Sequence, residues 1–388
     1  MGNGQSHTST AYLKSVGAPP MFPTKRSKQR EYTRTAEAKS LVSIQRPMTK
    51  PPFTSTWSLH FPGGACPVSR SGQCQVYDDE TDSLVIAYGV NPAGKFLNDI
   101  WVVDLKSLTW RQIPSNLHQP RVNARAIKYK REMIIFGGSD GTNYLSDLHS
   151  VNIDTGVVTN FDSSTVTPRE NACLFITENS LFVWSGFADQ LLIEFDEFSL
   201  ETQTWNISEI TTESGRRAAS FVSDATSNYD YIFGSTRGHP VSRFDKSNST
   251  IEVMRCQGTA PPPELLNAMV TVASNYLFVF GGEYEKSGFS YLYALDLNRQ
   301  YWFPFHVVPD NDTTSFEDGD VTNQGIFKLP RQHSGAFAYS RRTRSLVSTM
   351  GSLLMEPAPL SVIYIGSALA VLNMRSDMLQ MYDLTTLK

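Results

Sequence analysis

Short apolar runs that close on a glycine pair, or on its remnant, recur along most of the chain. They end at Ala87-Tyr88-Gly89, Phe136-Gly137-Gly138, Trp184-Ser185-Gly186, Phe233-Gly234-Ser235, Phe280-Gly281-Gly282 and Thr349-Met350-Gly351. The last residues of these triplets are spaced by 49, 48, 49, 47 and 69 positions. Six units in one register predict a repeat architecture. The wide last gap predicts an insertion of about 20 residues against a unit of about 50. Within each unit, runs rich in Phe, Val, Ile and Tyr alternate with Gly, Asp, Asn and Ser turns, which reads as four short strands. The glycines sit at strand ends, where close backbone approach or positive φ requires a residue without Cβ.

Further marks keep the same phase. Ahead of the glycines stand Arg70, Pro120-Arg121, Pro168-Arg169, Gly215-Arg216 and Pro330-Arg331, with Pro263-Glu264 departing in the fifth unit. After them a strand ends in a turn at Asp104-Leu105, Asp154-Thr155, Ser199-Leu200, Asp245-Lys246, Asp296-Leu297 and Asp383-Leu384. Six residues beyond the turn come Trp110, Asn160, Trp205, Ile251 and Trp302. Four strands repeated six times make an all-β radial assembly with few exposed edges. The glycine pair, the strand after it, the downstream Trp and the period together resemble kelch repeats over about residues 53–388. The resemblance implies a six-bladed kelch-type β-propeller.

The sixth unit ends at Lys388 without a fourth strand, yet Thr54-Ser55-Thr56-Trp57 matches Leu108-Thr109-Trp110 and Gln203-Thr204-Trp205. Residues 53–60 are therefore expected to supply the outer strand of the last blade, burying Trp57 and removing an open sheet edge.

Charge divides the chain. Residues 1–55 hold nine basic and two acidic side chains, and the remainder holds 25 basic and 36 acidic. The arm over 1–52 is rich in Ser, Thr and Pro and shows no period, so it reads as disordered. The acidic body is a poor match to a nucleic-acid reader, which shows a basic face. Met1-Gly2-Asn3-Gly4-Gln5-Ser6 fits the N-myristoylation pattern, with Gly2 as the acceptor. One myristoyl chain binds membrane only at about 10⁴ M⁻¹ and needs a second signal. The arm supplies one toward an anionic surface, since each engaged Lys or Arg adds about 1 kcal/mol. With no signal-peptide pattern and only four cysteines, the expected location is the cytoplasm, peripheral to a membrane.

Two stretches break the period, about 303–330 and 352–378. In an up-down-up-down blade, the loop leading into a blade and the loop joining its second and third strands emerge on one face, so both insertions are expected at one mouth. Asp310, Asp312, Glu317, Asp318 and Asp320 make the first acidic, and Leu353, Leu354 and Met355 open the second. Long loops on a rigid scaffold are where recognition tends to reside. The acidic loop suits a basic partner. Arg70, Arg121, Arg169, Arg216 and Arg331 either ring the same mouth, gripping an acidic peptide, or make inter-blade hydrogen bonds that brace the fold. The apolar stretch Val362–Met374, too short to span a bilayer, reads as a buried strand.

The seven histidines make no metal-site spacing with cysteine or acid, and no phosphate loop or nucleophile elbow appears. No cofactor is expected. The resemblance implies a monomeric, non-catalytic scaffold that presents one face to a protein partner. Its alternative is a sugar-directed oxidase or epimerase-like enzyme using the central channel, because fold alone does not decide function.

Overall fold

A computed structural model describes residues 55–374 apart from 118, 210–213, 286, 306, 311–328 and 353–354. The arm over 1–52, with Gly2, lies outside the described residues.

Six mainly antiparallel sheets radiate from one axis. Blades one to four run outward in chain order, blade five carries Gln257–Gly258 parallel outside its fourth strand, and blade six takes its outer strands from Ser55–His60 and Val307–Pro309. Their inner strands are Cys74–Asp78, Arg125–Tyr129, Cys173–Ile176, Ser220–Val222, Met269–Ala273 and Ala336–Ser340. The second strands are the most apolar because each is covered on both faces. Ser83–Ala87, Ser180–Trp184, Tyr276–Phe280 and Ser345–Thr349 are buried at every position. This is why the repeat reads as continuous apolar runs rather than as alternation. Apolar burial is organised by blade boundary, with six clusters for six interfaces. Val85 and Ile100 of blade one, for example, pack with Ala126 and Met133 of blade two.

The glycine spacing has a direct structural cause. The backbone N–H of Gly89 donates to Arg121 O at 2.9 Å, Gly138 to Arg169 O at 2.9 Å, Ser235 to Leu265 O at 2.9 Å, Gly282 to Gln332 O at 2.9 Å and Gly351 to Arg70 O at 2.7 Å. Five blades thus bond through the backbone to the lead-in segment of the next, the last bond returning from blade six to blade one, and blade three reaches Arg216 O through Ser185 Oγ at 3.2 Å. At Gly138, φ is +96° and a Cβ would lie 2.7 Å from Val122 O; at Gly351 it would lie 2.3 Å from His333 O. Side chains are excluded at both.

The ring closes as the Trp57 match predicts. Ser55–His60 is the outer strand of blade six, paired antiparallel with Leu360–Tyr364. Trp57 is fully buried and its Nε1–H donates to Ser361 Oγ at 2.7 Å. Val307–Pro309 adds a parallel strand outside it.

The end of the sixth unit differs from expectation. Its third strand is Leu360–Tyr364, so the loop from the second strand is 350–359, of ordinary length, and no insertion spans 352–378. Asp383-Leu384 does not end that strand. The apolar stretch from Val362 is half strand and half helix: Gly366–Met374 is α-helical and packs Ala368, Leu369 and Leu372 into the cluster that holds Trp57. The extra residues of the sixth unit therefore lie ahead of its inner strand, between Pro309 and Ala336.

Candidate interaction face and central channel

The segments that lead into each blade share one geometry. Arg70, Arg121, Arg169 and Arg216 are at most 2% exposed. Each guanidinium turns inward and donates to the carbonyl at the end of its own second strand: Tyr88 O, Gly137 O, Ser185 O and Gly234 O. Each also meets a polar group at or before the third strand, Asp99 at 2.5 Å, Asp147 at 2.6 Å, Asp196 at 2.7 Å and Ser242 Oγ at 2.6 Å. These guanidinium groups brace their own blades and do not line an exposed mouth or bond across to a neighbouring blade; at Arg70, Arg121 and Arg169 it is the backbone carbonyl that accepts from the preceding blade. Arg331 is exposed, and the slot in blade six belongs to Gln332, which donates to Met350 O at 2.7 Å. Leu265 holds the slot in blade five.

The electrostatics differ along the ring. Burial disfavours ionisation of Asp147, but His149 and Arg121 outweigh it and hold the carboxyl well below the usual range. Asp196, 1% exposed beside an Arg169 that is 0% exposed, is pushed up to about 6 by burial and by Glu194, against the pull of Arg169. Asp147, His149 and Tyr88 form a chain, with His149 Nδ1 3.1 Å from Asp147 and Nε2 2.9 Å from Tyr88 Oη. That order resembles a proton relay. His149 and Tyr88 are only 3% and 1% exposed, so no substrate reaches them, and the chain packs the boundary of blades one and two.

Two residues past each slot stand Gly72, Asn123, Asn171, Ala218, Asn267 and Ser334, all at positive φ. Asn123 N–H donates to Gly72 O at 2.7 Å, Asn171 to Asn123 O at 3.0 Å, Asn267 to Ala218 O at 2.9 Å and Ser334 to Asn267 O at 3.0 Å. This backbone collar surrounds the channel. The sequence signal for it was Arg-x-Asn at two slots and Arg-x-Gly at another, since Asn and Gly tolerate the left-handed conformation. Below the collar the inner strands enclose a channel of about 330 Å³. Four cations (Arg125, Lys128, Lys130 and Arg341) and two carboxylates (Asp79 and Asp224) line it.

Around the collar, on the same face, blade three projects a hairpin of Phe187–Ala188 and Gln190–Leu191. Leu191 and Ile193 are 44% and 43% exposed. The Arg217 guanidinium lies 4.0 Å from the centre of the Phe187 ring, and Tyr144 packs edge-on against that ring. Of the acidic run, Asp310 is half-buried at the outer rim of blade six, where its N–H donates to Trp57 O at 2.8 Å. Asp312, Glu317, Asp318 and Asp320 lie outside the described residues, as do Leu353 and Leu354. Met355 is 3% exposed, and its segment is pinned to blade one, with Met355 O accepting from Ser69 Oγ and Glu356 Oε1 from Ser69 N–H at 2.8 Å. Met355 is therefore core rather than contact surface. Among the described residues no three His, Cys, Asp or Glu are gathered to hold a metal ion, and no helix is long and apolar enough to cross a membrane.

The model of the KLHDC2/KLHL20/DRC7 Kelch-repeats domain matches residues 51–235. The chain is 22% identical over 246 residues to Kelch domain-containing protein 1 of Mus musculus, covering 60% of this chain and 55% of that protein. The chain is a kelch-repeat propeller. This kelch propeller is also 30% identical over 162 residues to Acyl-CoA-binding domain-containing protein 4 of Arabidopsis thaliana, covering 40% of this chain and 24% of that protein. For Acyl-CoA-binding domain-containing protein 5 of the same plant the identity is 25% over 228 residues, 55% of this chain and 35% of that protein. The kelch chain thus spans between a quarter and about half of the length of these curated relatives.

Proposed function

We propose that this kelch propeller is a non-catalytic scaffold, monomeric itself, that engages a protein partner through the face on which the blades are led in. The observation that carries the proposal is the exposure of Leu191 and Ile193 beside Arg217 and Phe187 on that face. Isolated exposed apolar side chains are ordinary. Here Leu191 stands on a projecting hairpin and Ile193 two residues after it, with a stacked guanidinium and two aromatic rings beside them. Aromatic residues and arginine are enriched in such interfaces. The chain re-enters this face at Leu329 and Gln332, and the acidic side chains expected in the stretch before them, Asp312, Glu317, Asp318 and Asp320, would suit a partner with a basic surface.

The test is affinity capture with three baits of equal melting temperature: the full chain, L191D/I193D, and a chain with 311–328 replaced by a Gly-Ser linker. Proteins held by the first bait and lost from either variant support the reading. An unchanged set on all three refutes it.

The arm over 1–52 contributes a reversible tether to an anionic membrane surface in the cytoplasm, through Gly2 acylation and its nine basic side chains up to Lys50. Gly2→Ala should move the protein into the soluble fraction, and an unchanged distribution contradicts the tether.

A further inference from the structure

Arg125 stands apart from the other arginines of the ring. It opens the inner strand of blade two, directly below the collar, and its guanidinium reaches across the channel wall. Nη2 donates to Asn171 Oδ1 at 2.8 Å and to Ala219 O at 3.2 Å, spanning from blade two to blades three and four. Nε is buried and has no hydrogen-bond partner among the described residues. A guanidinium carries five N–H donors and stays protonated in proteins. Two of the five are committed here, and both acceptors are neutral.

The neighbouring charges leave that cation uncompensated. Glu170 acts on Arg125 through space, but its carboxylate accepts from Asn123 Nδ2 at 2.9 Å and forms no ion pair with Arg125 among the described residues. Cys74 and Cys173 flank it outside any disulfide, and burial raises the Cys74 thiol to about 12, so it remains neutral. Asp79 is engaged by Lys128 at 2.8 Å, and Asp224 accepts from Thr226 Oγ1 at 2.6 Å. By contrast, Arg70, Arg121 and Arg169 each meet a carboxylate within 2.7 Å. A partly buried charge without a counterion is costly unless something completes it.

We infer that the central channel binds a small oxyanion, a phosphate or carboxylate group of a small molecule, at the unused N–H donors of Arg125. The channel volume admits such a ligand, and while Lys128 is held by Asp78, Asp79 and Glu80, Arg125 with Lys130 and Arg341 farther along the wall supplies the attraction. Hydrogen bonds from a guanidinium to an oxyanion are charge-assisted and about twice as strong as neutral ones. This site is separate from the Leu191 hairpin and stands whether or not that face binds a protein.

The test uses the full chain labelled with ¹⁵N at arginine Nε. Inorganic phosphate and, separately, succinate are titrated at fixed ionic strength, with sodium chloride as the reference salt. One Nε–H signal should shift saturably, Arg125→Lys should remove that signal, and the affinity for the same anion read by titration calorimetry should weaken tenfold or more in Arg125→Lys. Lys keeps the charge but loses the planar donors. Response to phosphate alone, to succinate alone, or to both identifies the group and supports the site. The inference is overturned if no Nε–H signal saturates with either anion, or if Arg125→Lys leaves the affinity unchanged. Should Arg125→Lys fail to fold, Asn171→Ala serves as the second variant. It frees one Nη2 donor, and the saturable signal should persist with an altered midpoint; disappearance of saturation in a folded Asn171→Ala protein, or an unaltered midpoint, counts against the site.

Discussion

Trp57→Ala probes the closure of the ring at a single side chain. Trp57 is fully buried, lies in the cluster that joins blades five and six, and bonds Ser361 Oγ at 2.7 Å. Truncating a buried Trp costs about 3–5 kcal/mol through lost transfer energy and the cavity left behind. Losing the bond to Ser361 adds about 1 kcal/mol. The sum, about 4–6 kcal/mol, is a large part of the 5–15 kcal/mol typical of a folded protein. With an unfolding entropy near 2.1 cal/mol/K per residue over the roughly 290 residues described, the melting temperature should fall by about 7–10 °C. The assay is thermal unfolding followed by circular dichroism, paired with amide exchange. Exchange should accelerate first in Leu360–Tyr364, the strand that loses its outer neighbour. A fall of less than about 2 °C, or acceleration spread evenly over all blades, refutes the reasoning. Deleting 1–48 should leave the melting temperature unchanged, whereas deleting 1–60 should unfold the body; equal stability of the two truncations points the same way as a silent Trp57→Ala.

Arg169→Met leaves Asp196 buried without its cation and should cost about 3–5 kcal/mol in urea unfolding; Arg169→Met with Asp196→Leu should recover most of it, and no recovery contradicts the pairing. Arg121→Met should cost less than Arg169→Met, because Asp147 is 46% exposed and water takes over part of the interaction. Asp147→Asn tests the depressed carboxyl. That group contributes stability above its unfolded pKa near 4, and the contribution fades as pH falls through the lower folded value. The stability gap between wild type and Asp147→Asn should therefore shrink steadily below about pH 4, and a constant gap down to pH 2 contradicts the assignment.

The blades were legible because the signal in the chain is the bond that assembles them. A glycine N–H reaching the next lead-in carbonyl requires positive φ and an absent side chain, and both conditions leave a mark in composition. The Trp57 match succeeded for a similar reason, since the tryptophans it was matched to, Trp110 and Trp205, stand on the outer strands of blades one and three. The sixth unit misled because Asp383-Leu384 copies the turn signature. The true third strand also runs straight into an apolar helix, and periodicity does not separate a short buried strand from a buried helical turn. The arginines illustrate a different limit. Whether a guanidinium faces the mouth or folds into its blade depends on an acid some 26 to 29 residues onward, at Asp99, Asp147 or Asp196, and that pairing is visible only once strand register is known. Pro330-Arg331 had the right spelling, yet the slot lies one residue later at Gln332. Arg125 gave no signal at all, because a single cation opening an apolar strand looks like ordinary strand-end polarity.

The claim that one face of the propeller does the binding is tested most directly by amide exchange of the full chain with and without a captured partner. Protection should gather in 186–194, 214–217 and 282–291, on the face where Leu191 and Ile193 are exposed, and leave the opposite hairpins at 79–82, 130–131 and 341–344 unchanged. Protection confined to those opposite hairpins, or to the outer strands, would contradict the account.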